Sequence, residues 1–331
     1  MLSFLKKIGI DGFVLALIAA VFIAWLFPQL GTIRTPFSLA TITDVGIGGI
    51  FFFYGLRLSA AKMKEGTSNW KLHSLIQITT FIVFPILILA VMQFFPNSKT
   101  DLLWLGIFYA AALPSTVSSS VVMVSIAKGN IPAAIFNASL SSLLGVFITP
   151  LWMRLFVSNV EHATSSFQDI FIKLFLQVIL PITTGILLNR YWGNFAERRQ
   201  KFLRFFERTI IILIVYNAFA NSFVEGIFSN YGISTIFYVI TGMFLLFLIA
   251  YFLMKASCKM MRFSVEDTIT ATFCGSKKSL IHGSAMLRVL FPNIQAQGLV
   301  LMPIMVYHIL QLIVVSLIAT TLSRRNIKKA A

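Results

Sequence analysis

The sequence predicts an all-α membrane protein: ten transmembrane helices arranged as two inverted five-helix repeats. Three observations predict it. The chain has 331 residues, 58% of them hydrophobic and 11% charged, with a mean hydropathy of +0.87. A soluble domain of this size needs a polar shell that such numbers cannot supply. Ten apolar segments are long enough to cross a bilayer. The Lys and Arg residues gather in alternate gaps between those segments, as the positive-inside rule requires.

The segments fall at 11–30, 38–58, 70–95, 102–127, 131–157, 168–192, 203–226, 231–254, 265–290 and 295–322. The first follows Lys6 and Lys7, as the apolar run of a signal peptide would. It is too long for one, and Trp25-Leu26-Phe27-Pro28 is no small-residue cleavage site, so it reads as a retained first span. The fourth and ninth segments are the weakest by hydropathy. They carry Ser115-Thr116-Val117-Ser118-Ser119-Ser120 and Cys274-Gly275-Ser276-Lys277-Lys278-Ser279. Two weak spans in corresponding places are the sequence pointer to repeats, here 1–158 and 166–325, joined by the polar stretch Ser158 to Ser166. An odd number of crossings per repeat inverts the second copy. Twenty Lys and Arg fall on the side of the termini, and five (Arg34, Lys99, Arg154, Lys173, Arg288) on the other. That split predicts cytoplasmic termini and a place in the cytoplasmic (inner) membrane.

Composition also excludes function classes. The net charge of +16 is spread through short gaps rather than pooled on one face, which argues against nucleic acid as a partner. Cys258 and Cys274 make neither a disulfide framework nor a zinc pattern, and His73, His162, His282 and His308 lack paired metal spacing. Gly46, Gly48 and Gly49 follow no strand, so they read as close helix packing rather than a dinucleotide loop. With no phosphate-binding Walker motif, catalytic triad or paired-acid site, the chain reads as no enzyme and no ATP-driven pump, with no cofactor.

The candidate residues cluster at the two weak spans. A cation at bilayer depth is costly and marks a functional site by default, which singles out Lys277 and Lys278. Gly275 and Ser276 beside them continue a helix poorly, which suggests a break at mid-depth. One ammonium could face a central cavity and attract an anion, or stand where a coupling cation would sit. The lysines could instead snorkel to an interface, or pair with Glu225, Glu266 or Asp267. Pro114 removes a backbone donor, and Ser118, Ser119 and Ser120 after it compete for backbone bonds. That stretch is either a half-helix N-terminus or a proline kink with serines packed between helices. Asn137, with Ser139, Ser141 and Ser142, forms a polar stripe in the fifth span, and Gln77 is a lone amide in the third; Asn137 and Gln77 are candidates to line the same cavity as the breaks, the alternative being hydrogen bonds between helices, which is the reading for the serines. Gly193 to Thr209, rich in Arg and aromatics, reads as an interfacial helix touching anionic membrane lipid.

Taken together these stretches resemble the bile acid:sodium symporter superfamily, and within it the SBF-like branch of YfeH-type bacterial transporters. The resembling residues are Phe51-Phe52-Phe53-Tyr54-Gly55-Leu56-Arg57-Leu58, Leu113-Pro114 through Val117-Ser118-Ser119, Ala133-Ala134-Ile135-Phe136-Asn137 through Thr149-Pro150, Thr272-Phe273-Cys274 through Lys278-Ser279-Leu280, and Tyr307-His308. The resemblance implies a panel of spans 1, 2, 6 and 7 beside a core of the other six. It also implies discontinuous spans 4 and 9 that cross in the core, and substrate binding between panel and core. In sodium-coupled members the ninth-span break carries a Glu, then a Gln and an Asn that build the sodium sites. Here Phe273, Lys277 and Lys278 hold those places, Ser120 and Val121 hold those of a Ser-Asn pair, and Ala134 and Ala138 stand at two hydroxyl positions. The resemblance thus implies a secondary transporter of a small organic anion working by alternating access, with most of the family's sodium ligands replaced. A regulator or sensor that keeps the fold but moves nothing is the alternative.

Overall fold

A computed structural model describes residues 12–33, 38–58, 69–95, 98, 100–157, 172–291 and 294–325, and all regular structure among them is helical. The joint expected at Ser158 to Ser166, with Lys6, Lys7, Arg34, Lys62, Lys64, Lys99, His162, Lys328 and Lys329, lies outside these residues. The helices longer than one turn are α1 (Gly12–Leu26), α2 (Leu39–Leu56), α3 (Trp70–Met92), α4 (Leu102–Ala112), α5 (Ser118–Ile126), α6 (Ile131–Val157), α7 (Ile172–Arg198), α8 (Gln200–Val224), α9 (Ile233–Met260), α10 (Val265–Gly275), α11 (Leu280–Leu290) and α12 (Gln297–Arg325). Among the described residues six of them, α2, α3, α6, α7, α9 and α12, are long and apolar enough to cross a membrane. Five of the others fall short for visible reasons. The fourth and ninth apolar segments are each cut into two short helices, and α8 carries Lys201, Arg204, Glu207 and Arg208 in its opening turns.

Local chemistry sets the cuts. Leu113 precedes a proline and is pushed into extended backbone (φ −71°, ψ 153°), so α4 stops at Ala112. Gly145 on α6 leaves room for the Pro114 ring, which a Cβ would meet at 2.7 Å. In the second cut, Ser276 leaves helical geometry after Gly275, and the Ser279 hydroxyl caps α11 by accepting from the His282 amide. Helix α3 is continuous but holds a π turn at Thr79–Val83, just before Pro85. Gly193 to Thr209 is no separate interfacial helix. Helix α7 runs through to Arg198, and α8 begins at Gln200, because good helix formers fill the stretch and only Arg199 departs from helical geometry.

The helices pack in two groups. Helices α1, α2, α7 and α8 lie on one another, and α3–α6 with α9–α12 form the rest. In the first group the backbones of α2 and α7 touch where Gly55 meets Ile182 and Gly185 meets Phe52, contacts no side chain would fit. Gly46 and Gly49 similarly admit Ile210 and Phe206 of α8, while Gly48 meets only Pro181, at 3.9 Å. The groups meet chiefly along α8, which lies on α11 and α12. Arg288 of α11 ties them at one end, reaching Asp44 of α2 (3.1 Å) and Asn217 of α8 (2.8 Å). The Tyr54 hydroxyl of α2 also crosses between the groups, donating to the Ser139 carbonyl of α6 (3.1 Å). At the opposite end three helix N-termini converge on one carboxylate. Asn69 and Asn130, which cap α3 and α6, both donate to Asp267 in the first turn of α10 (2.9 and 2.8 Å). A negative charge there meets three positive dipole ends.

Candidate functional site: two helix cuts that complete each other

A helix that ends inside a protein leaves carbonyls without partners, and each must be satisfied. Below α4 four consecutive carbonyls find named donors. The carbonyls of Ala111 and Leu113 accept from the Lys278 ammonium, Ala112 from the Thr149 hydroxyl, and Pro114 from the Ser279 amide. At the end of α10, Cys274 accepts from the Ser115 hydroxyl (2.5 Å) and Phe273 from that of Ser120 (3.4 Å). The Ser276 carbonyl takes the Tyr307 hydroxyl (2.6 Å), and Gln311 clasps both the amide and the carbonyl of Lys278 (2.8 Å each). Each cut therefore supplies the donors that the other lacks.

Lys278 is fully buried, and its ammonium has three carbonyl acceptors: Thr80 at 2.7 Å, Ala111 at 2.5 Å and Leu113 at 2.9 Å. Three donors meet three acceptors. The Thr80 carbonyl is free for this because the π turn sends the Phe84 amide to Thr79 instead, and Pro85 has no amide to offer. The Phe84 ring covers the ammonium at 4.2 Å. A charge that costs several kcal/mol to desolvate is thus held at the carbonyl end of a helix, where dipoles favour a cation.

Lys277 is equally buried but differently served. Its ammonium donates to the Ser119 hydroxyl at 2.9 Å. Ser119 donates on to Thr116 (2.9 Å), which shares a hydrogen bond with Ser120 (2.7 Å). These residues form the N-terminus of α5, whose capping residue Val117 provides no side-chain acceptor. First-turn amides have no intrahelical partner and carry the positive dipole end. The Lys277 ammonium thus lies beside the positive dipole end of a half-helix and its hydroxyls, an arrangement that favours an anion. Ser118 is exposed and Ser119 half-buried, so the spot lies at the edge of the interior.

The other expected residues have partners of their own. Asn137 is buried, donating to the Ala133 carbonyl and meeting His73 at 2.8 Å, while Gln77 donates to its carbonyl and side-chain oxygens. Together they clasp α3 to α6. Gly275 packs against Met254 of α9, and the Ser276 hydroxyl donates back to Thr272. Both lysines are fully buried, so neither snorkels. The carboxylates considered for them bond elsewhere or lie at helix ends: Asp267 holds Asn69 and Asn130, Glu266 sits in the first turn of α10, and Glu225 caps α8.

A family model matches residues 11–324, nearly the whole chain: the SBF-like CPA transporter family. The chain belongs to that family. It is 38% identical to an uncharacterized protein of Pseudomonas aeruginosa, covering 97% of this chain and 95% of the relative. It is 34% identical to the candidate symporter YfeH of Escherichia coli (96% and 94%) and 29% identical to sodium/bile acid cotransporter 7-B of Xenopus laevis (99% and 97%). This SBF-like chain is a multi-pass membrane protein and a transporter of its family rather than an enzyme. Several residues of this candidate site escape a reading by residue type. Thr80, Phe84 and Thr149 carry no unusual chemistry; the available signal was Pro85, which strips the donor from the preceding turn. Tyr307, His308 and Gln311 do show a pattern, three polar groups at helical spacing in the apolar middle of α12.

Proposed function

We propose that this protein is a secondary transporter of a small organic anion. Helices α1, α2, α7 and α8 act as a panel and the remaining helices as a core, and the two rock to alternate access. Counting each cut pair as one span gives ten crossings in two inverted repeats, 1–158 and 166–325. Both termini would then be cytoplasmic and the membrane the inner one. The observation that carries the reading is the Lys277 ammonium beside the uncapped N-terminus of α5. Lys277 supplies charge to the substrate, while Ser118, Ser119 and Ser120 supply hydroxyls and amides. The names of the relatives, a candidate symporter and a sodium/bile acid cotransporter, support an organic solute.

Sodium plays no part in this scheme. The Lys278 ammonium is a resident cation on three carbonyls, and a second cation beside it would be repelled. Proteoliposomes offered a panel of small radiolabelled carboxylates test the proposal. Uptake of at least one should saturate, survive replacement of sodium by choline, and fall at least tenfold in Lys277→Met. Sodium-driven uptake that Lys277→Met leaves intact would refute it.

A further inference from the structure

At the elbow where α7 meets α8, apolar rings and cations are exposed together. Trp192, Phe195, Phe202 and Phe205 are each more than half exposed. Rings bare to water are unfavourable, and aromatic rings between an apolar and a wet zone mark a membrane interface. Helix length agrees. The 27 residues of α7 span about 40 Å against about 30 Å of hydrocarbon, long enough for its charged end to reach the headgroup layer.

The cations stand in the same turns. Arg190, Arg198, Arg199 and Lys201 are exposed and Arg204 half-buried. Two acids lie in this stretch, Glu197 and Glu207, and Glu207 is buried against Arg57 at 3.0 Å. The exposed surface is therefore strongly positive at the depth where its rings sit. Nucleic acid fits poorly, because the rings would remain bare, and zwitterionic lipid leaves the charges unmatched.

We propose that the α7–α8 elbow is a docking site for phospholipids with a net negative headgroup, rings among the acyl chains and guanidinium groups on the phosphodiester. Native mass spectrometry of the full chain, purified with defined phosphatidylglycerol and phosphatidylcholine, tests this. The wild type should retain the anionic lipid at least tenfold over the zwitterionic one. Arg198→Gln/Arg199→Gln/Lys201→Gln should lose that preference, while Lys255→Gln/Lys259→Gln/Arg262→Gln, equal in charge and at the end of α9, should keep it. Retention by the elbow triple, equal loss by both triples, or displacement of the lipid by millimolar inorganic phosphate would overturn the proposal. Should the elbow triple fail to fold, brominated lipids give a second measurement. The quenching that is lost in Trp192→Phe should be larger for brominated phosphatidylglycerol than for brominated phosphatidylcholine; equal quenching would count against the site.

Discussion

Lys277 and Lys278 are neighbours in sequence and equally buried, yet their surroundings have opposite character. Lys278 points at the carbonyl end of α4 and spends its three protons on Thr80, Ala111 and Leu113. Lys277 points at the amide end of α5 and meets the Ser119 hydroxyl. One ammonium completes a cage of acceptors; the other adds a positive charge to a place already short of electrons. Burial alone therefore says little about a buried cation's role. What matters is which end of which helix it faces.

The largest way to break this comparison is to remove the caged amine. Lys278→Met leaves three carbonyls without donors and should cost about 3–5 kcal/mol, the scale for removing one partner from a buried charged cluster. The thermal midpoint in detergent reads it. Millimolar methylammonium should raise the midpoint of Lys278→Ala and leave Lys277→Ala unmoved; no rescue in either would show that the cage is not a cation seat. Lys277→Met takes a donor only from the half-buried Ser119 hydroxyl, which keeps its bond to Thr116, so its stability should stay within about 1 kcal/mol of wild type. If the two methionine variants unfold together, the division of roles fails.

Smaller effects should come from the two ends of the molecule. Asp267→Asn removes the charge shared by three helix ends and should cost about 1–3 kcal/mol, visible in the same melting experiment. Asp44→Asn breaks a half-exposed ion pair with Arg288 and should cost less than about 1 kcal/mol. Its effect should instead be on opening: a cysteine placed at buried Ala218 should react faster with maleimide when Asp44 is neutralised. An unchanged rate would mean that Arg288 does not hold the helix groups together.

Much of this was legible in the chain. Pro114 and Gly275 announced the two cuts, and the weak hydropathy of their segments located them, because backbone rules act over a few residues. The closeness of Lys277 to Ser119 was not legible, since it joins residues 158 apart in the chain. Asn137 is the instructive case. An amide in an apolar span reads from sequence as a cavity wall, yet the same residue serves as a clasp between helices, and only the positions of His73 and Gln77 distinguish the two. Lys278 shows the same limit: its acceptors are main-chain oxygens, and every residue type carries one.

The reciprocal bonding of the two cuts has a bearing on how the chain can be divided. Synthesised alone, the N-terminal portion would present the carbonyls of Ala111, Leu113 and Pro114 with their donors missing, since those donors arrive from Lys278 and Ser279. The portions made from two separate genes should therefore complement one another, each insoluble or degraded until its counterpart appears.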